Sequence, residues 1–298
     1  MQKQNVRAKA AGGYEVMDPI IKNKHADVYY RRAIDAETEK MLTSLFSEIE
    51  RVYTTVRMEN AKKGAEPSVR NLEKLVDYYK KEFLSKFLTN SSKIIRKWLK
   101  IATKNARSSI HRVFLKLYGE RYPIRFDGDE YEQIMRLIVR RNIGLIQNTT
   151  LQTLNNIENI VYNGVITGQS WRTVARDLAN QKHIAEDRIK RIARDQTGKA
   201  NEALNEFSQR SAGIEFFEWR TAEDERVSTG KGGHKQLNGK IYKWGDSEHY
   251  PIIDSYGHRG LPHQRVNCRC TALAVILRKD YEARQNSDGS WRIVKGRI

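Results

Sequence analysis

The chain has 298 residues, of which 39% are hydrophobic and 30% charged, with a mean hydropathy of -0.71. No stretch reaches the ~18 consecutive apolar residues that a membrane-spanning helix needs, and the first residues contain no apolar signal segment. We therefore expect a water-soluble chain without a membrane span that stays in the cytoplasm where it is made.

The formal net charge of +18 favours polyanionic partners, among which are nucleic acids, anionic membranes and acidic proteins. Residues 213–298 contain 15 Lys and Arg against 11 Asp and Glu, which leaves 39 against 25 for residues 1–212. A polyanion would thus meet mainly the N-terminal part of the chain.

The N-terminal part is predicted to be a loosely ordered arm at residues 1–30 followed by a basic α-helical domain at residues 31–164. Apolar residues recur there at helical spacing. The pattern predicts one helix before a break at Gly64–Pro67, a second up to about Phe87, a third over Ser91–Tyr118, and a fourth from Asp129 past Leu145.

One face of the third predicted helix is basic. Nine Lys and Arg, and no Asp or Glu, lie between Phe83 and Gly119. Spacings of three and four residues place one set on a single face about 27 Å long, at ~1.5 Å per residue. This set ends at His111, and its five Lys and Arg residues, the basic ridge, are Lys93, Lys97, Lys100, Lys104 and Arg107.

The basic ridge can contact DNA phosphates along a duplex without reading its sequence. One alternative is a solvated helix face whose acidic partners lie elsewhere in the fold. Another is a membrane-surface helix, since Trp98 beside lysines suits a membrane interface.

Residues 165–280 are predicted to form a small α+β module. Ser170 is a candidate N-cap for a short helix, and a longer helix from about Ile184 stops at Gly213, a pair that superficially resembles a helix-turn-helix. Strand-like runs follow with the sequences IEFFEWRT, KIYKW and TALAVIL.

The predicted fold class is therefore α+β, with a mainly α-helical N-terminal part followed by a small module of short antiparallel strands. Residues 281–298 are expected to be a C-terminal tail.

Two cysteines, Cys268 and Cys270, are present. A bond between residues two apart would be strained, so we expect reduced thiols. Residues i and i+2 of a strand face the same side, so both sulfurs could bind one zinc ion, with His234 and His263 completing a tetrahedron. Zinc is the one cofactor that the sequence suggests, and nothing in the sequence requires it.

The same residues also have a purely structural interpretation. The thiols are then buried small hydrophobic groups, Arg269 pairs with an acidic residue such as Asp224, and His234 bonds to a turn. Gly239 permits the turn before KIYKW. A small core is expected from Trp219, Trp244, Leu237 and Val266.

An ordered series of motifs crosses this module. It consists of Ile192–Arg194, Trp219 with Thr221, Asp224 with Arg226 and Val227, His234 followed by Leu237 and Gly239, and finally Asn267–Cys270. Over residues 165–278 this order resembles the head morphogenesis family of tailed phages, which includes the Mu phage F-like and SPP1 minor head protein-like sequences. A glycine-rich insert, STGKGG, and His-Gln-Arg-Val before the cysteines depart from the family pattern.

The resemblance implies a minor head structural protein, inside the head or near the portal, without enzymatic activity. Its expected partners are the portal protein, the major capsid or scaffold protein, and double-stranded DNA bound non-specifically during packaging or ejection. Its expected locations are the virion head and, during assembly, the host cytoplasm. The motif residues expected to have structural roles are Trp219, Asp224, Arg226, Gly239, Asn267 and Arg269.

An enzymatic alternative is a metal-dependent nuclease or a toxin-type enzyme centred on Asp224 and His234. The order and spacing of a nuclease signature are not present, and the deaminase motifs are absent.

Overall fold

The computed structural model describes residues 13–17, 24–63, 69–119 and 126–296. These residues form four long helices and six short strands. The helices are α1 (Lys24–Lys63), α2 (Val69–Tyr118), α3 (Asp129–Ile166) and α4 (Trp171–Ser211), and the strands are β1 (Tyr14–Val16), β2 (Phe216–Arg220), β3 (Ile241–Lys243), β4 (Thr271–Leu277), β5 (Tyr281–Gln285) and β6 (Trp291–Lys295). The predicted α+β class is confirmed. None of the described helices is long and apolar enough to cross a membrane.

The six strands form one sheet in the order β1-β4-β2-β3-β6-β5, and each neighbouring pair is antiparallel. Three strands, β2, β3 and β4, are the runs predicted from the sequence. Trp219 lies opposite Ala272 and Phe217 opposite Ala274. The most apolar strand, β4, thus lies between β1 and β2, where both of its edges can find partners.

The predicted C-terminal tail is wrong, because β5 and β6 form a hairpin in the sheet. The Asn286 N–H donates to the Ser290 carbonyl at 2.7 Å across the turn, and Gly289 adopts the positive φ of 81° that this turn needs. Part of the predicted arm is also ordered, since β1 pairs with β4. Residues 1–12 and 18–23 of the arm lie outside the described residues.

Two predicted helix boundaries are absent. Helix α2 continues through Ser91, and α4 continues through residues 181–183, so each predicted pair of helices is a single helix. Neither stretch contains Gly or Pro, and polar residues there remain compatible with the helix. The Thr89 hydroxyl, for example, donates to the Ser85 carbonyl one turn back at 2.9 Å. The predicted break at Gly64–Pro67 lies outside the described residues.

Other predicted helix ends are confirmed. The Thr173 N–H donates to the Ser170 hydroxyl at 3.3 Å, which caps α4. At its other end Gly213 has a φ of 72°, and the Ile214 N–H donates to the Gln209 carbonyl at 3.0 Å. Gly119, with the same φ, follows α2.

The chain divides into two compact units. The described residues of the first, the sheet unit, fall within Met1–Lys24, Lys100–Ile134 and Asp195–Ile298, and those of the second, the helical unit, within His25–Leu99 and Met135–Arg194. These units cut across the consecutive segments expected from the sequence, because the divisions fall within α2, α3 and α4.

The core of the helical unit is built around two stacked aromatic rings. Tyr30 and Trp98 lie with ring centroids 4.6 Å apart, and both side chains are fully buried. The Tyr30 hydroxyl donates to the Asn142 side-chain oxygen at 2.7 Å, and the Asn142 amide donates to the Ile138 carbonyl at 2.8 Å. The buried polar groups of Tyr30 and Asn142 are therefore hydrogen-bonded. Burial of Trp98 also removes the observation that favoured a membrane-surface helix.

The sheet unit contains apolar clusters on both faces of its sheet. On one face Met17, Phe114 and Ile214 pack with residues of α2 and β4. On the same face a separate cluster surrounds Phe217 and Trp244, whose ring centroids are 4.1 Å apart, and Phe216, Ile241 and Val275 form a third cluster on the opposite face. This second cluster extends to the cysteines, so the site described below is continuous with a packed core.

Polar side chains of α4 bind the backbone of β4 at Ala272. The Ala272 N–H donates to the Glu202 carboxyl at 2.8 Å. The Ala272 carbonyl accepts from the side-chain amides of Asn205 at 2.7 Å and Gln209 at 3.1 Å. Gln209 in turn accepts from the Trp244 indole N–H at 3.0 Å. These bonds fix the strand that begins directly after the two cysteines.

Two glycines of α3 provide a test of packing in the helical unit. A Cβ at Gly164 would lie 2.6 Å from Val174 Cγ2 and 3.1 Å from the Tyr53 hydroxyl, both buried, whereas a Cβ at exposed Gly144 would meet nothing within 4 Å. We expect Gly144→Ala to stabilise the unit by about 0.5–1 kcal/mol, because alanine favours a helix. Gly164→Ala should instead destabilise it by about 1–3 kcal/mol through overpacking. Urea unfolding followed by circular dichroism measures both, and equal shifts in the two variants would contradict this packing.

Candidate functional site

His234, Cys268 and Cys270 meet in the sheet unit and are called the His-Cys-Cys cluster. The His234 Nδ1 lies 3.4 Å from Cys268 Sγ and 3.3 Å from Cys270 Sγ. One ligand atom from each residue lies within 4.8 Å of the others. The three side chains therefore converge on one point, although 34 positions along the chain separate His234 from Cys268.

The imidazole of His234 is held from its other side. The Ile253 carbonyl accepts from the ring Nε2 at 3.1 Å, and the Ser228 hydroxyl accepts from the His234 backbone N–H at 3.1 Å. A hydrogen on Nε2 leaves the Nδ1 lone pair directed at the sulfurs. The Trp219 ring packs edge-on against the imidazole, with centroids 5.4 Å apart. The ring is thus fixed in both position and tautomer.

The two cysteines are hydrogen-bonded to each other, and this changes the pKa of both thiols. The Cys270 backbone N–H donates to Cys268 Sγ at 3.4 Å. The hydrogen bond from the Cys270 thiol lowers the pKa of Cys268, while the bond to Cys268 and burial raise the pKa of Cys270. One thiolate is therefore stabilised beside a thiol that donates to it. A thiolate is the form that binds metals.

Arg269 lies between the cysteines and pairs with Asp224, as the structural interpretation predicted. Its guanidinium donates to both carboxylate oxygens, one of them at 2.6 Å. Arg226 donates to the same carboxylate at 3.2 Å. These bonds hold the pKa of the Asp224 carboxyl below its usual value. The carboxylate is thereby paired with two guanidinium groups.

Asn267 occupies a left-handed backbone position just before Cys268, with a φ of 59°. Asparagine tolerates this conformation better than most residues. The Asn267 N–H donates to the Asp195 carboxylate of α4 at 2.7 Å, and Lys199 donates to the same side chain at 2.6 Å. The turn that presents the cysteines is thus fixed to a helix.

A cleft of about 210 Å³ opens beside the cluster. All three residues of the cluster line this cleft. Its other lining residues include three cationic side chains, Arg226, Arg265 and Arg269, and two polar ones, Ser228 and Asn267. Solvent and small ligands can therefore reach the point on which the ligand atoms converge.

His263, the fourth predicted zinc ligand, is not part of the cluster. It is buried against α4, where a Cβ at Gly198 would lie 2.3 Å from its Cδ2 atom and 2.5 Å from its Nε2 atom. The His263 backbone has a left-handed φ of 62°.

Val266 was wrongly expected in the core, because its side chain is 69% exposed. It lies within the turn from Arg265 to Cys268, which is closed by a hydrogen bond from the Cys268 N–H to the Arg265 carbonyl at 3.1 Å.

The other predicted core residues are confirmed. Trp219, Leu237 and Trp244 are buried in the cluster around Phe217, and Cys268 packs against it. Gly239 has a φ of 80°, and its N–H donates to the Trp219 carbonyl at 2.8 Å. The turn before β3 therefore depends on a residue without a side chain.

The basic ridge lies on α2, and its five side chains are exposed. Lys97 lies over the Tyr29 ring with its Nζ 5.1 Å from the centroid. In the described part of the chain, no carboxylate forms an ion pair with any of the five. The acidic partners that the solvated-face alternative invokes are thus not found among these residues.

Several contributors to the site were not expected from the sequence. The Ile253 carbonyl, Asp195 and Glu202 hold the cluster or its strand in place. A backbone carbonyl has no sequence signal. Three buried polar residues of α4 follow one another at spacings of three and four, namely Glu202, Asn205 and Gln209. Their spacing on one helix face was available in the sequence.

Residues 155–273 match the family model described as phage Mu protein F like protein. This match confirms the resemblance to the phage head morphogenesis family over that part of the chain. It includes every residue of the His-Cys-Cys cluster and ends within β4. The basic ridge lies outside it.

The individual proteins that match this chain have low sequence identity to it. The chain is 22% identical to an uncharacterized protein of Haemophilus influenzae over 87% of this chain and 55% of that protein. It is 24% identical to minor head protein GP7 of Bacillus phage SPP1 over 51% of each. It is 26% identical to NAD(+)--arginine ADP-ribosyltransferase EFV of Enterococcus faecalis over 45% of this chain and 29% of that protein.

The chain therefore spans between 29% and 55% of the length of these relatives. No solved structure matches it significantly.

Glu202 predicts a pH dependence of stability. Burial raises the pKa of Glu202 to about 8, from an ordinary value of 4.5. The folded protein thus keeps a proton that the unfolded chain releases, and this contribution to stability falls as pH rises from about 4.5 to about 8. Glu202→Gln should remove this fall, because an amide can still accept from Ala272 and donate to the Thr271 hydroxyl.

Denaturant unfolding of wild type and Glu202→Gln at several pH values measures the effect. Glu225→Gln, at an exposed position, is the matched control and should follow the wild type. Parallel curves for wild type and Glu202→Gln would show that the carboxyl is ionised in the fold.

Proposed function

We propose that this protein is a minor head structural protein of a tailed phage, located inside the capsid or at the portal. The observation that carries the proposal is the match of residues 155–273 to the phage Mu protein F like family, together with the similarity to an SPP1 minor head protein. Its partners are the portal protein and the major capsid or scaffold protein. It acts in procapsid assembly in the host cytoplasm and remains in the virion.

A structural role agrees with the chemistry of the C-terminal module. Asp224, which a nuclease centre would use, donates no proton and accepts from Arg226 and Arg269. His234 directs Nδ1 at two sulfurs and is bonded through Nε2 to Ile253. Neither side chain is arranged as a general base for an attacking water. The ADP-ribosyltransferase relative matches over 29% of its own length, and its named activity is not carried over to this chain.

The second part of the proposal is that α2 contacts double-stranded DNA without sequence specificity. The five side chains of the basic ridge repeat on one helix face, are exposed, and form no ion pair with a carboxylate among the described residues. Phosphate contacts by such side chains give binding that weakens with salt. DNA is the polyanion that fills a phage head, so this chemistry and the proposed location agree.

Particle composition tests the location. Capsids purified from lysates of the phage that encodes this chain, after nuclease and protease treatment, should contain it at a small fraction of the major capsid protein, measured by mass spectrometry. Protection from added protease is expected because the chain lies within the shell. Recovery of the chain only in the soluble fraction of the lysate would overturn the proposed location.

Substitution of Lys97, Lys100, Lys104 and Arg107 by Gln tests DNA contact. Each lost phosphate contact lowers the slope of log K against log salt by roughly 0.9, so the slope should fall by about 3–4. Fluorescence anisotropy with a labelled duplex measures this slope. The matched control replaces four exposed cations of the sheet unit with Gln, namely Lys231, Lys279, Arg292 and Lys295.

Equal losses in the ridge variant and the matched control would mean that net charge, rather than the ridge, governs binding. The same incubations with Mg²⁺ or Mn²⁺ should leave the duplex intact. Cleavage that is abolished by His234→Ala would favour the nuclease alternative instead.

A further inference from the structure

We propose that the His-Cys-Cys cluster binds one zinc ion through three protein ligands and leaves the fourth coordination position to an exchangeable water in the cleft. The inference goes beyond the proposed head function and does not depend on it. The ligands are His234 Nδ1, Cys268 Sγ and Cys270 Sγ. Two thiolates and one neutral imidazole form a soft donor set that suits Zn²⁺.

The spacing of the donor atoms matches a tetrahedral ion. Zinc lies about 2.3 Å from sulfur and about 2.0–2.1 Å from nitrogen, which at tetrahedral angles puts sulfur and nitrogen about 3.5 Å apart. The observed separations from His234 Nδ1 are 3.4 Å to Cys268 Sγ and 3.3 Å to Cys270 Sγ. An ion can therefore enter with shifts of a few tenths of an ångström.

The surroundings hold the ligands in the orientation that coordination needs. Metal-binding histidines generally donate their second ring N–H to a carbonyl or carboxylate, and the His234 Nε2 lies 3.1 Å from the Ile253 carbonyl. The Cys270 N–H donates to Cys268 Sγ, as backbone amides do toward thiolates. The Nε2 contact uses the ring nitrogen that faces away from the sulfurs, so metal binding at Nδ1 does not break it.

Charge at the site is also compatible with a dication. Arg269, the cation nearest in sequence to both sulfurs, donates to both oxygens of Asp224. Zn²⁺ with two thiolates and a neutral imidazole has no net charge, which suits a position bordered by the buried Trp219 and Leu237. Binding thus adds no uncompensated charge to the core.

The fourth position is open to the cleft. Within the described residues, no further His, Cys, Asp or Glu joins the group, and His263 lies against Gly198 instead. The cleft of about 210 Å³ has room for several waters and reaches all three ligands. This differs from closed structural zinc sites, which have four protein ligands, and makes the fourth ligand replaceable from solution.

Metal binding to the full-length chain tests the site. Protein freed of metal with a chelator should take up one equivalent of Zn²⁺, measured by competition with a chromophoric chelator, and Co²⁺ should give the absorption of a tetrahedral thiolate complex. Zn²⁺ should also protect both cysteines from alkylation, which mass spectrometry detects without any substitution. Less than about a tenth of an equivalent bound, or alkylation unchanged by Zn²⁺, overturns the proposal.

Variants test the ligand set. Cys268→Ser, Cys270→Ser and His234→Gln should each weaken Zn²⁺ binding by more than the 10–100-fold typical of outer-shell changes. His249→Gln, an exposed histidine, is the matched control and should bind as the wild type does. Circular dichroism of each metal-free variant separates loss of a ligand from loss of the fold. Unchanged affinity in both cysteine variants contradicts the assignment.

Two further measurements test the open position. Adding 2-mercaptoethanol to the Co²⁺ protein should change its absorption while the metal stays bound, because the thiol replaces water. His263→Gln should leave the spectrum unchanged. A spectrum that is insensitive to the thiol, or one lost in His263→Gln, would indicate a closed site with four protein ligands and overturn the open fourth position. These readouts do not involve DNA or capsids, so their failure leaves the proposed head function untouched.

Discussion

The backbone of β4 at Ala272 is the constraint on which the sheet unit depends. Strand β1 is three residues long and pairs only as far as Val275, with one further bond from Met17 to the Ala274 carbonyl. Beyond that point the edge of β4 would bury an unpaired N–H and carbonyl, which costs about 1–3 kcal/mol for each group. Glu202, Asn205 and Gln209 supply the missing partners, so a helix replaces the absent strand. Because Cys270 directly precedes β4, the same bonds set the position of the cluster.

Side chains that bind loop backbone provide the rest of the site's geometry. The cluster lies on irregular chain segments, and irregular backbone must be satisfied locally when it is buried. Asp195 holds the N–H of Asn267, and the Ile253 carbonyl holds the ring of His234. The glycine-rich insert before His234 fits this arrangement, because a Cβ at Gly232 would lie 2.1 Å from the Asp254 carbonyl oxygen. The departure from the family pattern is therefore accommodated by close backbone contact.

Local sequence patterns predicted the elements that have strong local signals. The apolar runs became β2, β3 and β4, and the chemistry of Ser170 and Gly213 marked the ends of α4. Errors arose where a weak signal was taken for a boundary. The helix start predicted at Ser91 is absent, because packing of Trp98 and its neighbours outweighs the small propensity cost of the polar residues there.

The site shows the same division between local and long-range information. The pairing of Arg269 with Asp224 followed from charge and strand geometry, and the structure contains it. The distinction between His234 and His263 could not be made from the sequence, since both are histidines near the cysteines. It depends on which loop approaches Ile253 and which packs on Gly198. Only contacts between residues far apart in the chain determine this outcome.

The two candidate surfaces of the chain have separate physical origins. The match to the phage family ends at residue 273 and begins at residue 155, whereas the basic ridge extends from Lys93 to Arg107. Folding of the matched region relies on burial, turns and the anchoring of β4, none of which involves the ridge. Exposed cations contribute little to the stability of the fold and can change without affecting it. A relative that shares the matched region can therefore have the same module without the DNA contact proposed for this chain, so affinity for DNA has to be judged from the charge of α2 and not from membership of the family.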